Sequence, residues 1–203
     1  MQQTAIIILA IVFLLSVSAT AQETRSEISV QGTGVFPRDA EGQGTLQRGT
    51  QTGGVLGSYR YHFYRWLSAE VAYGWNRNSQ LFFTPLGFAR IQADVHQATG
   101  GLVVSLPTLH RYKLSPYVLA EGGALVFKPT NNGGFVPGAE RQAQGVFVYG
   151  GGADFPIPAI NHVALRLEYR GLVYHAPNFG LRALDTDSVT HTAQPSAGIV
   201  FRF

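Results

Sequence analysis

The chain contains no cysteine. That excludes disulfides, thiolate metal sites, thiol catalysis and lipid attachment through a cysteine behind a leader. Charge is scarce as well: 13% of the 203 residues are Asp, Glu, Lys or Arg, about half of the roughly 25% usual in soluble domains. No apolar run reaches the ~20 residues that a membrane-spanning helix needs, and mean hydropathy is only +0.06. The mature part shows no convincing amphipathic helix. Basic residues give a net charge of +3 but are spread along the chain, so nucleic-acid binding, which favours a basic cluster, is not expected. Together these absences exclude helical membrane proteins, disordered chains and disulfide scaffolds.

What is present begins with a short apolar segment. Ala5 to Val17 reads AIIILAIVFLLSV, the length of a signal-peptide core and too short to cross a bilayer. Ala19-Thr20-Ala21 follows as a small-x-small cleavage pattern. Residues 1–21 are therefore expected to be a signal peptide cut between Ala21 and Gln22, leaving 22–203 as one domain. Met1-Gln2-Gln3 departs from the pattern, since no lysine or arginine precedes the apolar core.

After Gln22 the chain alternates with period two between Gly-, Pro-, Asn- and Asp-rich breaks, the mark of half-buried strands. Eight strands are expected: Ser26–Phe36, Gln51–Phe63, Trp66–Asn76, Arg90–Leu106, Ser115–Phe127, Gln144–Phe155, His162–His175 and Thr190–Phe203. The seventh is clearest: Val163, Leu165, Leu167, Tyr169 and Val173 oppose Arg166, Glu168 and Arg170. In the first, Ile28, Val30 and Phe36 oppose Glu27, Ser29, Gln31 and Thr33. The fourth is irregular. Ala98, Gly100, Leu102 and Val104 form an apolar face whose parity turns polar at Arg90, Gln92, Asp94 and His96, which predicts either a bulge or a first half raised above the membrane. Links after strands one, three, five and seven are long; Tyr64-Arg65, Pro107–Lys113 and Pro156–Asn161 are short. Alternating long and short links fit an antiparallel up-and-down eight-stranded transmembrane β-barrel, with both termini on the periplasmic side.

Two faces could point outward. A soluble ligand-carrying barrel would bury the apolar face, and a membrane barrel would expose it. Low charge favours the membrane orientation, as do aromatic girdles: Tyr61, Phe63, Tyr64, Trp66, Phe155, Phe201 and Phe203 at the turn end, and Tyr73, Trp75 and Tyr174 toward the loop end. The opposite face then carries Arg60, Glu70, Glu121, Asp154, Arg166, Glu168, Arg170 and Arg202, four acids and four bases. A narrow lumen has room for side chains and little else, so this balanced set is expected to pair into a plug.

These patterns resemble the bacterial outer-membrane β-barrel superfamily, of the small OmpA/OmpX-like type. The alternating tail Ile199, Phe201, Phe203 is similar to the assembly signal of such barrels, and YGGGADF and LRLEYRGLVYHAPNF are similar to their strand–turn–strand segments. The resemblance implies export to the bacterial outer membrane, contact with its lipid, and insertion by periplasmic chaperones and the barrel-assembly machinery. It does not imply one function.

Catalytic readings are weak. Ser188 and His191, with Asp185 and Asp187 near, are the residue types of lipid-deacylating barrels, but they sit on opposite strand parities, and nucleophile and base must touch. His96, Asp94 and His175 lack ligand spacing. Asn131-Asn132-Gly133-Gly134 reads as a loop tip and Gly150-Gly151-Gly152 as a closely packed part of a strand. The expectation is a monomer without cofactor, metal or enzymatic activity, in a structural or surface-interaction role. The alternatives are a small-solute or ion pore and a lipid-modifying enzyme.

Overall fold

The computed structural model describes residues 25–85, 87–109, 114–130 and 136–203. The leader with Ala19, Ala21 and Gln22, the loop tip Asn131–Gly134 and part of the Pro107–Lys113 turn lie outside the described residues.

Among the described residues ten strands form one sheet: β1 (Ser26–Pro37), β2 (Ala40–Gly42), β3 (Thr45–Gly49), β4 (Thr52–His62), β5 (Leu67–Thr84), β6 (Gly87–Ser105), β7 (Ser115–Pro129), β8 (Gln142–Pro156), β9 (Val163–His175) and β10 (Val189–Arg202). Eight of them close a barrel. β1 pairs antiparallel with both β4 and β10, and β5 with β6, so every barrel strand has two neighbours. Following the ladder from Ser29 through Ser58, Ala72, Thr99, Gly123, Val146, Tyr174 and Thr190 returns to β1 ten residues further along. A stagger of that size around eight strands corresponds to a tilt of roughly 35–45° and a bore that side chains can fill.

The alternation sets which face is inside. Val30, Val55, Val71, Leu102, Val118, Leu165, Leu167, Ile199 and Phe201 are exposed on the outer wall, while Glu27, Arg60, Glu70, Glu121, Arg166 and Arg170 are buried in the bore. The expected eight-stranded barrel is present, and three details differ from expectation. The break expected between Asn76 and Arg90 is a continuous hairpin: β5 and β6 stay paired from Leu67–Val104 up to Thr84–Gly87. It persists because cross-strand partners support it on both faces. Arg77 bonds Asp94, and the exposed rings of Phe83 and Phe88 lie 5.3 Å apart, while Phe82 and Ile91 are buried inside. The register shows no bulge, so the fourth strand's irregular first half is the unbroken upper part of β6, beyond the row of Trp75.

The first long link is likewise structured, as the β2–β3 hairpin, and β3 adds to the raised part of β5. The third difference concerns Tyr174. It does not belong to the outer girdle: its parity turns it into the bore, where it is buried and its hydroxyl lies 2.9 Å from Thr192 Oγ1. The loop-end girdle is built instead from Tyr73, Trp75, Phe147 and Tyr149.

Candidate functional site in the lumen

The lower bore is an ion network. Along one ladder row Glu27, Arg60 and Glu70 stand opposite one another, and Gly101 separates Glu70 from Glu121. Successive inward positions of β9 supply Arg166, Glu168 and Arg170. Arg60 donates from Nε to Glu70 at 2.8 Å, and its Nη1 lies 3.0 Å from Glu27. Arg166 donates to both oxygens of Asp154 at 2.8 and 2.9 Å and to Glu27 at 2.6 Å. Arg170 joins three acids: Glu168 at 2.6 Å, Glu121 at 2.9 Å and Glu70 at 2.5 Å. Arg202, at the short-turn rim of the bore, bonds Glu27 at 3.2 Å and Asp154 at 2.6 Å.

All eight charged residues named from the sequence thus meet in one network. Sequence reasoning left out Glu27, Tyr117 and His62, whose Nε2 lies 3.5 Å from Glu27. Glu27 contacts Arg60, Arg166 and Arg202; its inward parity was readable, but its register with Arg60 and Arg202 was not. Tyr117 was hidden in a strand that reads as small and apolar. Its hydroxyl donates to Glu168, and its ring lies 4.3 Å from the Arg60 guanidinium carbon and 5.0 Å from that of Arg166. Gly152, directly opposite on β8, makes room for it: a Cβ there would stand 2.6 Å from the Tyr117 hydroxyl. Ion pairs this deep are held by multiple hydrogen bonds and by flanking rings, the arrangement that offsets the cost of desolvating them.

Above the ions lies a layer of amides and hydroxyls. Gln194 donates to Gln97 at 3.3 Å, and Ser196 donates to Gln31 at 2.8 Å. Higher still the bore is apolar, with Ile91, Val95, Leu125, Phe127, Val146 and Leu172 in one cluster. Phe179 caps it, fully buried, edge-on to Phe82 at 6.3 Å and to Phe127 at 6.2 Å.

Phe179 comes from the loop between β9 and β10, which therefore folds over the mouth instead of extending outward. Two successive residues with positive φ, Phe179 at 54° and Gly180 at 79°, turn the chain there. Neighbouring elements hold it. Phe179 N donates to Gln142 Oε1 at 2.7 Å, Glu140 N donates to Phe179 O at 2.9 Å, and Gln47 donates to Pro177 O at 3.2 Å. Beside the cap, a cavity of about 10 Å³ between Gln47, Gln80, Tyr174 and Pro177 has room for about one water molecule.

The catalytic candidates do not assemble. Ser188 Oγ donates to the backbone oxygens of Glu41 and Thr186. His191 sits on the outer wall, with Nε2 2.9 Å from the Tyr149 hydroxyl. His96 likewise meets Tyr73, at 2.7 Å, and Asp94 is taken by Arg77 at 2.6 Å. Among the described residues there is no group of three or more His, Cys, Asp or Glu placed to hold a metal ion. At the tail, Ile199, Phe201 and Phe203 face outward. Phe203 N donates to Ser26 O at 2.8 Å, and Ser26 N donates back at 3.0 Å, so the last residue closes the β1–β10 seam.

A family model for the outer membrane protein beta-barrel domain matches residues 7–203. The chain belongs to that family. This outer-membrane β-barrel accordingly resides in the bacterial outer membrane, and the exposed apolar wall is its lipid face. Solved structures agree on the fold. OprG from Pseudomonas aeruginosa aligns with TM-score 0.60 at 14% identity, over 90% of this chain and 97% of that one. AlkL in lipid bilayers gives 0.57 at 13% identity, over 92% and 93%. Neisserial surface protein A gives 0.53 at 13%, over 88% and 97%. No curated protein sequence matches the chain.

Proposed function

We propose that this barrel is a sealed outer-membrane anchor with a structural or surface-contact role, not a pore or an enzyme. The observation that carries the reading is the filled bore: an ion network below, amides between, and an apolar core capped by Phe179 above. A solute on the axis would have to separate buried ion pairs, at a cost of several kcal/mol each in order of magnitude. The raised β5–β6 hairpin, buttressed by β3, supplies a rigid surface beyond the membrane, with Phe83 and Phe88 exposed on it. Against an enzymatic role stands the separation of Ser188, engaged with backbone, from His191, engaged with Tyr149. The test is planar-bilayer recording of the purified, heat-modifiable protein. No steady conductance steps are expected; regular single-channel steps would overturn the sealed reading.

The outward phase of Ile199, Phe201 and Phe203 supports their proposed role as the signal for the assembly machinery. Deleting Phe203 removes the terminal pair of seam hydrogen bonds and an exposed ring stacked 6.0 Å from Phe201. Membrane insertion in cells is expected to drop, while refolding of the purified chain in detergent changes little. Equal insertion with and without Phe203 counts against the role.

A further inference from the structure

On the outer wall of β5, the residues Tyr73, Trp75 and Arg77 follow one another on one face, all exposed. Each two-residue step advances about 6.8 Å along the strand. Tyr and Trp rings mark the level of the lipid headgroups, so Arg77 stands one step further out. Ladder partners extend that row: Arg77 opposes Asp94 on β6, and Asp94 opposes Lys128 on β7. The row below places His96 beside Trp75. Further out, exposed Arg90 opposes Leu81, its Nη2 donating to Ser79. Two permanent cations, Arg77 and Lys128, thus flank Asp94 in one ladder row, with Arg90 two outward positions further out on β6. The acid is bound bidentately by Arg77, through Nε at 2.6 Å and Nη2 at 3.0 Å, which fixes the guanidinium on the wall; its side chain remains 45% exposed.

We propose that the outer wall of β5, β6 and β7 is a binding site for the phosphate of a lipid headgroup in the outward-facing leaflet, with Arg77 and Lys128 as its donors. With Nε and Nη2 engaged by Asp94, Arg77 offers a phosphate its Nη1 and remaining Nη2 hydrogens, and lysine supplies a point charge. The aromatic residues directly beneath select a lipid over a soluble anion, because the acyl chains of a bound lipid run down past Trp75 and Tyr73. Asp94 opposes binding by charge while keeping Arg77 in place, so the site is tuned between retention and exchange. The assignment depends only on the membrane orientation, and holds whether or not the bore conducts.

The experiment places the protein in phosphatidylcholine nanodiscs containing a minority of phosphatidic acid and measures retained lipid by native mass spectrometry. A juxtamembrane cation contributes about five-fold in affinity for anionic lipid. Retention of phosphatidic acid is therefore expected to fall about five-fold in R77Q or K128Q and roughly 25-fold in the double variant. The pair R77K and K128R should stay near wild type. Asp94→Asn should increase retention, a gain that misfolding cannot imitate. Heat-modifiable migration checks that each variant is folded. Undiminished retention in the double variant overturns the site. Displacement of phosphatidic acid by inorganic phosphate would overturn the lipid assignment, showing that a soluble anion is the ligand.

Discussion

Below the level of Tyr73 and Trp75 the barrel wall is apolar outside and the bore holds the ion network; above it β6 turns polar outside and apolar inside, while β5 keeps Asn76, Asn78 and Gln80 inside. β6 shows the inversion in a single unbroken strand. Its lower half turns Leu102 outward and Gln97 and Thr99 inward, whereas its upper half turns Arg90, Gln92 and Asp94 outward and Ile91, Ala93 and Val95 inward. The solvent outside changes from lipid to water, and the pattern changes with it. Lipid accepts no polar side chain, so the lower strands send theirs into the bore, where they must satisfy one another. Water accepts them, so the upper part of β6 follows the rule of a soluble protein and buries Ile91, Ala93 and Val95 in the apolar cluster. The two halves of the bore should therefore fail in different ways.

The largest effect is expected from the ionic half. Arg170→Met keeps the volume but strands Glu70, Glu121 and Glu168 without their shared cation. Removing one partner of a buried pair costs about 3–5 kcal/mol. The urea midpoint of the heat-modifiable form should fall by a corresponding amount. Adding Glu121→Gln should restore part of the loss, because one uncompensated charge is gone. A single variant as stable as wild type would show that the network does not hold the lower bore together.

The apolar half should lose less, and locally. Phe179→Ala removes a fully buried ring from between Phe82 and Phe127, a change worth about 3 kcal/mol in a protein core. Here the ring caps one end of the barrel and the ladder beneath it is intact. Limited proteolysis should cut the β9–β10 loop faster, while the denaturant midpoint of the barrel shifts little. A midpoint shift as large as that of Arg170→Met would mean that the two halves unfold as one unit and the contrast between them is not energetic.

How much of this was legible in the sequence follows the same division. Strand number, inward parity and the charge belt were readable because lipid enforces strict alternation, as in Val163 to His175. The hairpin above Asn76 was not, since an expected membrane-spanning length ends a strand there and Phe82-Phe83 places apolar residues on both faces. The Phe179 cap gave no signal at all: a loop reading APNFG carries turn residues, and only the apolar mouth that tertiary closure creates gives the ring a place. Glu27 shows the remaining limit. Parity put it on the right face, but pairing partners depend on the stagger of ten residues around the barrel, which no single strand encodes.

The smallest effect tests where the ionic half ends. Arg202 bonds the same acids as Arg166, Glu27 and Asp154, but its side chain is 30% exposed at the short-turn rim while that of Arg166 is fully buried. Water can replace a rim cation, and partly exposed pairs contribute roughly 0.2–1 kcal/mol. Arg202→Ala should therefore move the urea midpoint only slightly, and the shift should shrink further in high salt, which screens exposed charges and leaves buried ones nearly untouched. A loss comparable to that of Arg170→Met, and insensitive to salt, would extend the dry part of the network to the last turn of the barrel. It would also make the inward phase of the tail as important to stability as its outward phase is proposed to be for assembly.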